Sequence, residues 1–476
     1  MNQPVYLTRE IREIEKAAAQ LPLMERAGSA AAELATELCS GKDVLVLAGP
    51  GNNGGDARIA AARLRERFFR VTEVSHPQDL PRDANFALVI DGLFGIGLAR
   101  NITGEHAELV AYANRQRCPV LSLDVPSGIQ SDTGQVLGCA VRATHTITFI
   151  AMKSGLLTLE GPDHCGEIRV VTLGIESVPK PTAWVAERAL FSDVLRPRPR
   201  NFHKGNAGSL GILGGARGMT GAALLAGRAS LKLGAGRVYV GLLQELPMDA
   251  AAPELMLQHV DDVLGQDLDA VVAGPGLGRT EHAATLVGAV LASEWPCVLD
   301  ADALNLIADD DDLRDACERR SADTLITPHP AEAARLLKLT TPEVQADRVA
   351  AAHALAKRYN AHVVLKGAGS VIVARDGHLF INRTGNPGMA SAGMGDVLSG
   401  MLGALLAQRY SGEASVVLGV HLHGAAADEL AAQGAGPVGL TAGEVSDAAR
   451  RLWNRWLTEK AEKGSEEFSG NKTGAP

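Results

Sequence analysis

The sequence predicts an α/β protein with two domains in tandem, each a mostly parallel sheet between layers of helices. Three observations carry this. Short apolar runs alternate with helical patterns through both halves of the chain. Those runs end in Gly, Asp, Asn or Pro, as buried parallel strands do. The 476 residues exceed what a single core usually organises.

In the first half "DVLVLAG" reads as a strand, followed by a glycine-rich loop and the helix "ARIAAARLRERF". "RVTEVSH", "FALVIDGLFGIGL", "PVLSLDVPSGI", "ATHTITFIAMKSG" and "GEIRVVTLGI" supply further strands. The first domain is thus expected to be a Rossmann-like three-layer sandwich over residues 1–190. The pattern breaks near "LRPRPRNFHKGNAG", whose Pro and Arg content is that of a connector. We place a linker at 191–204 and read Arg196, Arg198 and Arg200 as a solvated stretch. Alternation restarts with "SLGILGG" and the helix "GMTGAALLAGRASLKLG", giving a second domain over 205–458. The charged tail 459–476 is expected to be disordered.

Composition narrows the function classes. Hydrophobic residues make up 46% at a mean hydropathy of +0.04, which suits a globular chain with large cores. The formal net charge of −9 argues against a nucleic-acid partner. No apolar run is long enough to span a bilayer, and the charged N-terminus lacks a signal-peptide core. The six cysteines show no C-x-x-C pair or zinc-finger spacing. They read as free thiols of a cytoplasmic protein.

The loop "AGPGNNGGD" leaves almost no side-chain bulk over the start of the next helix. Bare N–H groups and the helix dipole there suit phosphate or pyrophosphate. The plain alternative is a βα turn, which two or three residues would satisfy. Ligands of parallel sheets bind at the carboxyl ends of strands. Asp91, Asp124, Ser127 and Lys153 all stand at such ends, so a shared site is expected; the alternative for each is a helix cap.

The second half reads as phosphoryl chemistry. "SAGMGDVLSG" puts glycines and Asp396 at a helix start, where N–H groups can face a transferring phosphoryl group and a carboxylate can take a hydroxyl proton. The alternative is that Asp396 caps the helix. "KGAGS", from Lys366 to Ser370, suits nucleotide phosphates. "GPGLG" ends another strand, "TPHP" fixes His329 between prolines, and "DADALN" offers Asp300, Asp302 and Asn305 to a metal or substrate. No Walker motif is present.

This constellation resembles the ribokinase-like superfamily. "HKGNAGSLGILGGARGMTGAALLAGRASLKLGAG", "GPGLG", "DADALN", "TPHPAEAARLL", "LKGAGSVI" and "NPGMASAGMGDVLSG" are similar, in order, to the ADP-dependent NAD(P)H-hydrate dehydratase family. "GPGNNGGD", "DGLFGIGL" and "DVPSG" resemble the NAD(P)H-hydrate epimerase domain to which that dehydratase is often fused. The resemblance implies repair of hydrated nicotinamide cofactors: R and S epimers interconvert in the first domain, and the S epimer is dehydrated in the second at the expense of ADP, giving AMP and phosphate.

It also implies roles. Asn52, Asn53, Gly54, Gly55 and Asp56 would hold the substrate, with Gly95, Ile96, Gly97, Leu98, Ala99, Arg100, Asn101 and Asp124. Asn53, Asp91 and Ser127 would bind potassium. Asp124 would shuttle the epimerase proton and Asp396 would activate the C6 hydroxyl, with Gly276 and His329 lining the hydrate site. Lys366, Gly367, Ala368, Gly369, Ser370 and Gly395 would bind ADP, with magnesium in the dehydratase domain. A homo-oligomer is expected. The chain departs from the family at Ala57 and Arg58, where Gly and an apolar residue are usual, and at Ile96, where a hydroxyl is missing. Arg58 would then either add a phosphate contact or mark a weakened epimerase. A ribokinase-like small-molecule kinase with a fused nucleotide-binding domain is the rival reading. A non-enzymatic binding role for the first half is another.

Overall fold

Why the apolar runs become two-sided strands is plain from their burial. In the computed structural model, which describes residues 3–81, 84–175 and 178–470 (the last eight without side chains), Val44, Val46 and Ala48 enter one core and Leu45 and Leu47 another. Alternate residues of one strand therefore feed both faces of a sheet. The chain divides into two compact units, Gln3–Trp184 and Val185–Pro476.

The first unit is built on six parallel strands. Their order is Arg70–Val74, Asp43–Ala48, Leu88–Gly92, Val120–Leu123, His145–Phe149 and Glu167–Val171. Helices Thr8–Ala17, Leu23–Leu38 and Asn52–Glu66 supply the core on one face, and Glu105–Arg115 that on the other. This is the expected three-layer sandwich. Strand Asp43–Ala48 has its sequence successor on one side and Leu88–Gly92 on the other. That reversal opens a crevice at the carboxyl ends, where the glycine loop lies. A smaller set of strands joins Pro4–Tyr6 to Met152–Lys153 in parallel and to Ala183–Ala186 antiparallel.

The second unit carries seven parallel strands, ordered Met256–His259, Arg237–Leu242, Ser209–Gly214, Ala270–Ala273, Cys297–Leu299, Thr324–Ile326 and His362–Leu365. Val371–Val373 and Leu379–Asn382 extend it antiparallel. Helices Thr220–Lys232 and Met394–Ala407 approach so closely that a Cβ at Gly400 would stand 2.1 Å from the Ala226 carbonyl. Small residues make that contact, and Ser230 Oγ donates to the Gly400 carbonyl across it at 2.9 Å.

Boundaries differ from those read in the sequence. The units part after Trp184, not at 190, within the strand Ala183–Ala186, whose first two residues pair with Pro4–Tyr6. The stretch 191–204 is not simply a solvated connector. Phe191 and Leu195 are buried, and Phe191 meets His421 and Trp456 at ring separations of 5.4 and 5.8 Å. Arg198 donates to the Gly234 carbonyl and to Gln408, both at 2.7 Å, and stacks over Phe202. The expected tail begins inside the helix Ala442–Gly470, whose Glu and Lys residues are good helix formers; 471–476 lie outside the described residues. All six cysteines are free, and no described helix is long and apolar enough to cross a membrane.

Candidate active sites

At the crevice of the first unit the glycine loop is a close-packing device. A Cβ at Gly54 would lie 1.8 Å from the Gly49 carbonyl, and one at Gly49 would lie 1.9 Å from that of Leu93. Only glycine lets these backbones meet. The contact sets the start of helix Asn52–Glu66 beside the loop after Leu88–Gly92. Ala57 is fully buried behind it, against Gly92. Arg58 turns away from the cavity: its Nη2 donates to the Gly49 carbonyl at 3.1 Å and its Nε lies 3.5 Å from Glu73. The expected phosphate contact from Arg58 is therefore not its role in this geometry, since the strand beside it offers a carboxylate.

Asp91 is fully buried. It accepts hydrogen bonds from Ser127 Oγ at 2.6 Å, Ser122 Oγ at 2.8 Å and the Ser127 N–H at 2.9 Å. Burial pushes its pKa up against the pull of these donors. It has no ion-pair partner among the described residues. Asn53 lies nearby in the fold, 7% exposed, with both amide atoms buried and unpartnered. A buried amide without partners and a buried carboxylate without an ion-pair partner are each costly alone. Together with Ser127 they offer oxygens that a weakly hydrated cation could take.

Asp124 follows its strand in the left-handed region, at φ +65°. Its two oxygens are held separately: Oδ1 accepts from Lys153 at 2.6 Å and Oδ2 from the Ile96 N–H at 3.1 Å. Lys153 has no exposure, and it donates also to Thr148 Oγ1 and the Phe149 carbonyl. Gly95 is required, because a Cβ there would stand 2.8 Å from Asp124 Oδ2. Ile96 supplies its backbone N–H to this carboxylate and its side chain to the core.

A cavity of about 840 Å³ opens over these groups. Asn52, Asn53, Asp56, Asp124 and Gly95 to Leu98 line it. Gly54 and Gly55 stand behind it, the latter against Met24. Ala99, Arg100 and Asn101 are exposed and lie outside the lining. The sequence reading missed Arg12 and Glu15, one helical turn apart on Thr8–Ala17, which also line it. Their signal was the 3.6-residue period of Ile11 and Ile14, which sets both beside the buried face. Burial, then Asp124 and Glu15, lift Asp56 to about 8. Burial and Asp124 also raise Glu15.

In the second unit Asp300 ends its strand 1% exposed, followed by Ala301 at φ +47°. Lys366 donates to Asp300 Oδ1 at 2.8 Å and Ser399 to Oδ2 at 2.7 Å. Glu332 lies 3.9 Å from the same ammonium. Burial works against the Lys366 charge, yet Asp300 and Glu332 outweigh it and hold its pKa above the usual lysine value. Asp396 sits in the first turn of Met394–Ala407. The N-cap is Gly393, at φ +88°, and the Asp396 carboxyl makes no hydrogen bond among the described residues, so it does not cap the helix. Burial, then Asp300, raises it to about 6, with Lys366 opposing.

Lys366, Gly395 and Asp396 thus gather round Asp300. A Cβ at Gly395 would lie 3.4 Å from Lys366 Nζ. The half-exposed His329 caps helix Pro330–Leu337 through Nδ1, and its pKa is lowered by burial and by Lys366. Gly276, at φ +60°, fits against Met219 at the neighbouring loop. Asp302 and Asn305 are spent on structure: Asp302 accepts from the Gly278 N–H, and Asn305 bonds Arg335 and the Ala301 carbonyl. Gly367 to Ser370 form a turn, with Ser370 Oγ donating to Gly367. The buried Arg348 supports it, donating to the Leu365 and Lys366 carbonyls.

Comparison with known proteins follows this division. Residues 210–451 match the NAD(P)H-hydrate dehydratase family, and 20–86 and 71–155 match the YjeF-related protein N-terminus. The bifunctional NAD(P)H-hydrate repair enzyme of Escherichia coli is 38% identical over 503 residues, covering 96% of this chain and 95% of that one. The chain belongs to the bifunctional NAD(P)H-hydrate repair enzyme family. A second repair enzyme of this family, from Coxiella burnetii, is 37% identical, over 94% of this chain and 99% of its own. Among solved structures, the ADP/ATP-dependent NAD(P)H-hydrate dehydratase of Bacillus subtilis, crystallised with ATP and magnesium, is 30% identical with a TM-score of 0.51. It covers 57% of this chain and 98% of its own. A ribokinase-like protein of Enterococcus faecalis, 24% identical with a TM-score of 0.52 over 59% of this chain and 99% of its own, shares the fold. The repair-enzyme family therefore places a ribokinase-like domain second, as the sequence motifs imply.

Proposed function

We propose that the chain repairs hydrated NAD(P)H, with the epimerase in the first unit and the dehydratase in the second. Membership of the repair-enzyme family over nearly the whole chain supports the activity. One observation carries the assignment of the second site: Asp396, whose carboxyl is raised to about 6 and free of hydrogen bonds among the described residues, shares Asp300 and Lys366 with a turn suited to phosphates. A base near neutrality can take the C6 hydroxyl proton as the oxygen attacks the terminal phosphorus of ADP. AMP departs. The ring nitrogen's lone pair then expels phosphate from C6, and loss of a C5 proton restores the double bond. Hydroxide alone would be a poor leaving group. Lys366 and the Gly367–Ser370 turn would hold the nucleotide phosphates, and magnesium carried with those phosphates needs no dedicated protein cage.

In the first unit, C6 bears both nitrogen and hydroxyl, so reversible loss of that hydroxyl erases its configuration. Asp124, fixed at both oxygens by Lys153 and the Ile96 N–H, would exchange the proton with the departing and returning hydroxyl. Potassium would be held by Asn53, Asp91 and Ser127, where it offsets the buried Asp91 charge. The test is direct. The purified chain is incubated with mixed R- and S-NADHX and ADP, and NADH absorbance is followed beside each epimer. Loss of both epimers with AMP and phosphate formed is the expected result. Accumulation of a stable phosphorylated alcohol would instead favour the kinase reading.

A further inference from the structure

The cavity of the first unit is oddly charged for its cargo. A hydrated dinucleotide carries a pyrophosphate, and in one form a ribose phosphate as well. Yet Glu15, Glu25, Asp56 and Asp124 all line the cavity, and Arg12 is the one cationic side chain among the lining residues. Lys153 offers a ligand no donor, because its three are already taken by Asp124, Thr148 and Phe149. Arg58 is turned onto Gly49 and Glu73. The Arg12 guanidinium, by contrast, makes no hydrogen bond or close ion pair among the described residues, although its charge eases that of Glu15 one turn along. Its Nη2 would lie 3.9 Å from a Cβ on Gly97, in the loop that continues from the Asp124-bound Ile96. A free guanidinium on the exposed side of a helix, leaning over a glycine with no side chain to block it, is a ready fork for phosphate oxygens.

We propose that Arg12 contacts a phosphate of the dinucleotide in this cavity and so directs the nicotinamide end toward Asp124 and Asp56. The inference rests on the reading of this cavity as the epimerase site. It fixes the orientation of the substrate: anionic end under the Thr8–Ala17 helix, hydrated ring against the acidic wall. The N-terminal helix is then a substrate-binding element, although it stands well before the glycine loop in the sequence.

The test uses the full chain, with R-NADHX and R-NADPHX and early time points. Arg12→Ala should raise KM for R-epimer consumption about tenfold, the scale of one charged hydrogen bond, with kcat held within about twofold. Arg12→Lys should recover part of the loss. The difference should shrink at high ionic strength, where exposed charges are screened. Dehydration of the S epimer by the second unit serves as the folding control. An equal effect on both substrates points to the pyrophosphate, and an effect confined to R-NADPHX to the ribose phosphate; either supports the proposal. An unchanged KM for both, or a loss in kcat alone, overturns it while the epimerase reading stands. A wild-type chain that fails to speed R consumption overturns the epimerase reading and this inference with it.

Discussion

Lys153 donates to Asp124 across 2.6 Å from a position with no solvent exposure. Deleting the carboxylate would leave a buried ammonium unpaired, at a cost of about 3–5 kcal/mol. Asp124→Asn is the milder test: the amide oxygen still accepts from Lys153, although the counter-charge is lost and the amide NH2 then faces the Ile96 N–H. R-NADHX consumption should fall by roughly 10² while S-NADHX conversion is untouched. Replacing potassium with a poorly fitting cation should slow the same step alone. Equal slowing of both epimers, with an unchanged melting curve, would show that one site serves both.

Asp396→Asn should lower dehydration of S-NADHX by about 10² to 10⁴ while ADP still binds. In the native chain the carboxyl is raised to about 6, and its base form is the active one. Dehydratase kcat/KM should therefore fall as pH drops through about 6 and level off above it. A profile flat from pH 5 to 8, an interval of about three units round that value, would remove Asp396 as the base.

Lys366→Met tests two consequences at once. The apparent KM for ADP should rise at least about tenfold, more than that for the hydrate. Lys366 also lowers the Asp396 pKa, so the acid limb of the pH profile should move to higher pH. The second readout separates an electrostatic role from simple loss of structure. A weaker fold alone would leave the position of the limb unchanged.

Asp56 makes a prediction about stability. Its folded pKa of about 8 lies far above its ordinary value of 3.8. Between those limits the folded chain holds a proton that the unfolded chain releases. Stability from this group is therefore full at low pH and is lost as pH rises through the interval. Without ligand, Asp56→Asn should raise the melting temperature of the first unit at pH 8 by at least about 2–4 °C, with a clearly smaller gain at pH 5. A larger gain at pH 5 than at pH 8 would reverse the argument.

Much of this architecture is legible in the sequence. The strands were legible because burial on both faces demands unbroken apolar runs, as in "DVLVLAG". Asp91 and Asp124 were legible because a parallel sheet gathers its strand ends at one edge, and Asp396 because glycines precede it at a helix start. What the sequence hid depended on distant partners. "TAWVA" was not legible as a strand because its partner, Pro4–Tyr6, lies far away in the sequence. Arg198 is exposed as expected, but its bonds to Gly234 and Gln408 were hidden because both come later in the chain. Arg12 and Glu15 carry no motif at all, and only the packing of Ile11 and Ile14 delivers them to the cavity. Asp302 and Asn305 looked available because a sequence does not show which carboxylates a neighbouring loop has already claimed.

Arg58 bears on how such chains are judged from their letters. It breaks the usual loop pattern, and a search for decayed copies of the gene would count it as damage. In the fold it lies on the outer side of the turn and ties the Gly49 carbonyl to the edge strand through Glu73. The cavity sees none of it. Restoring the commoner residue would loosen a brace and add nothing to the surface that meets the substrate. Decay in this loop is better sought at Gly49, Gly54 or Asn53, where a changed letter cannot be hidden on the far side.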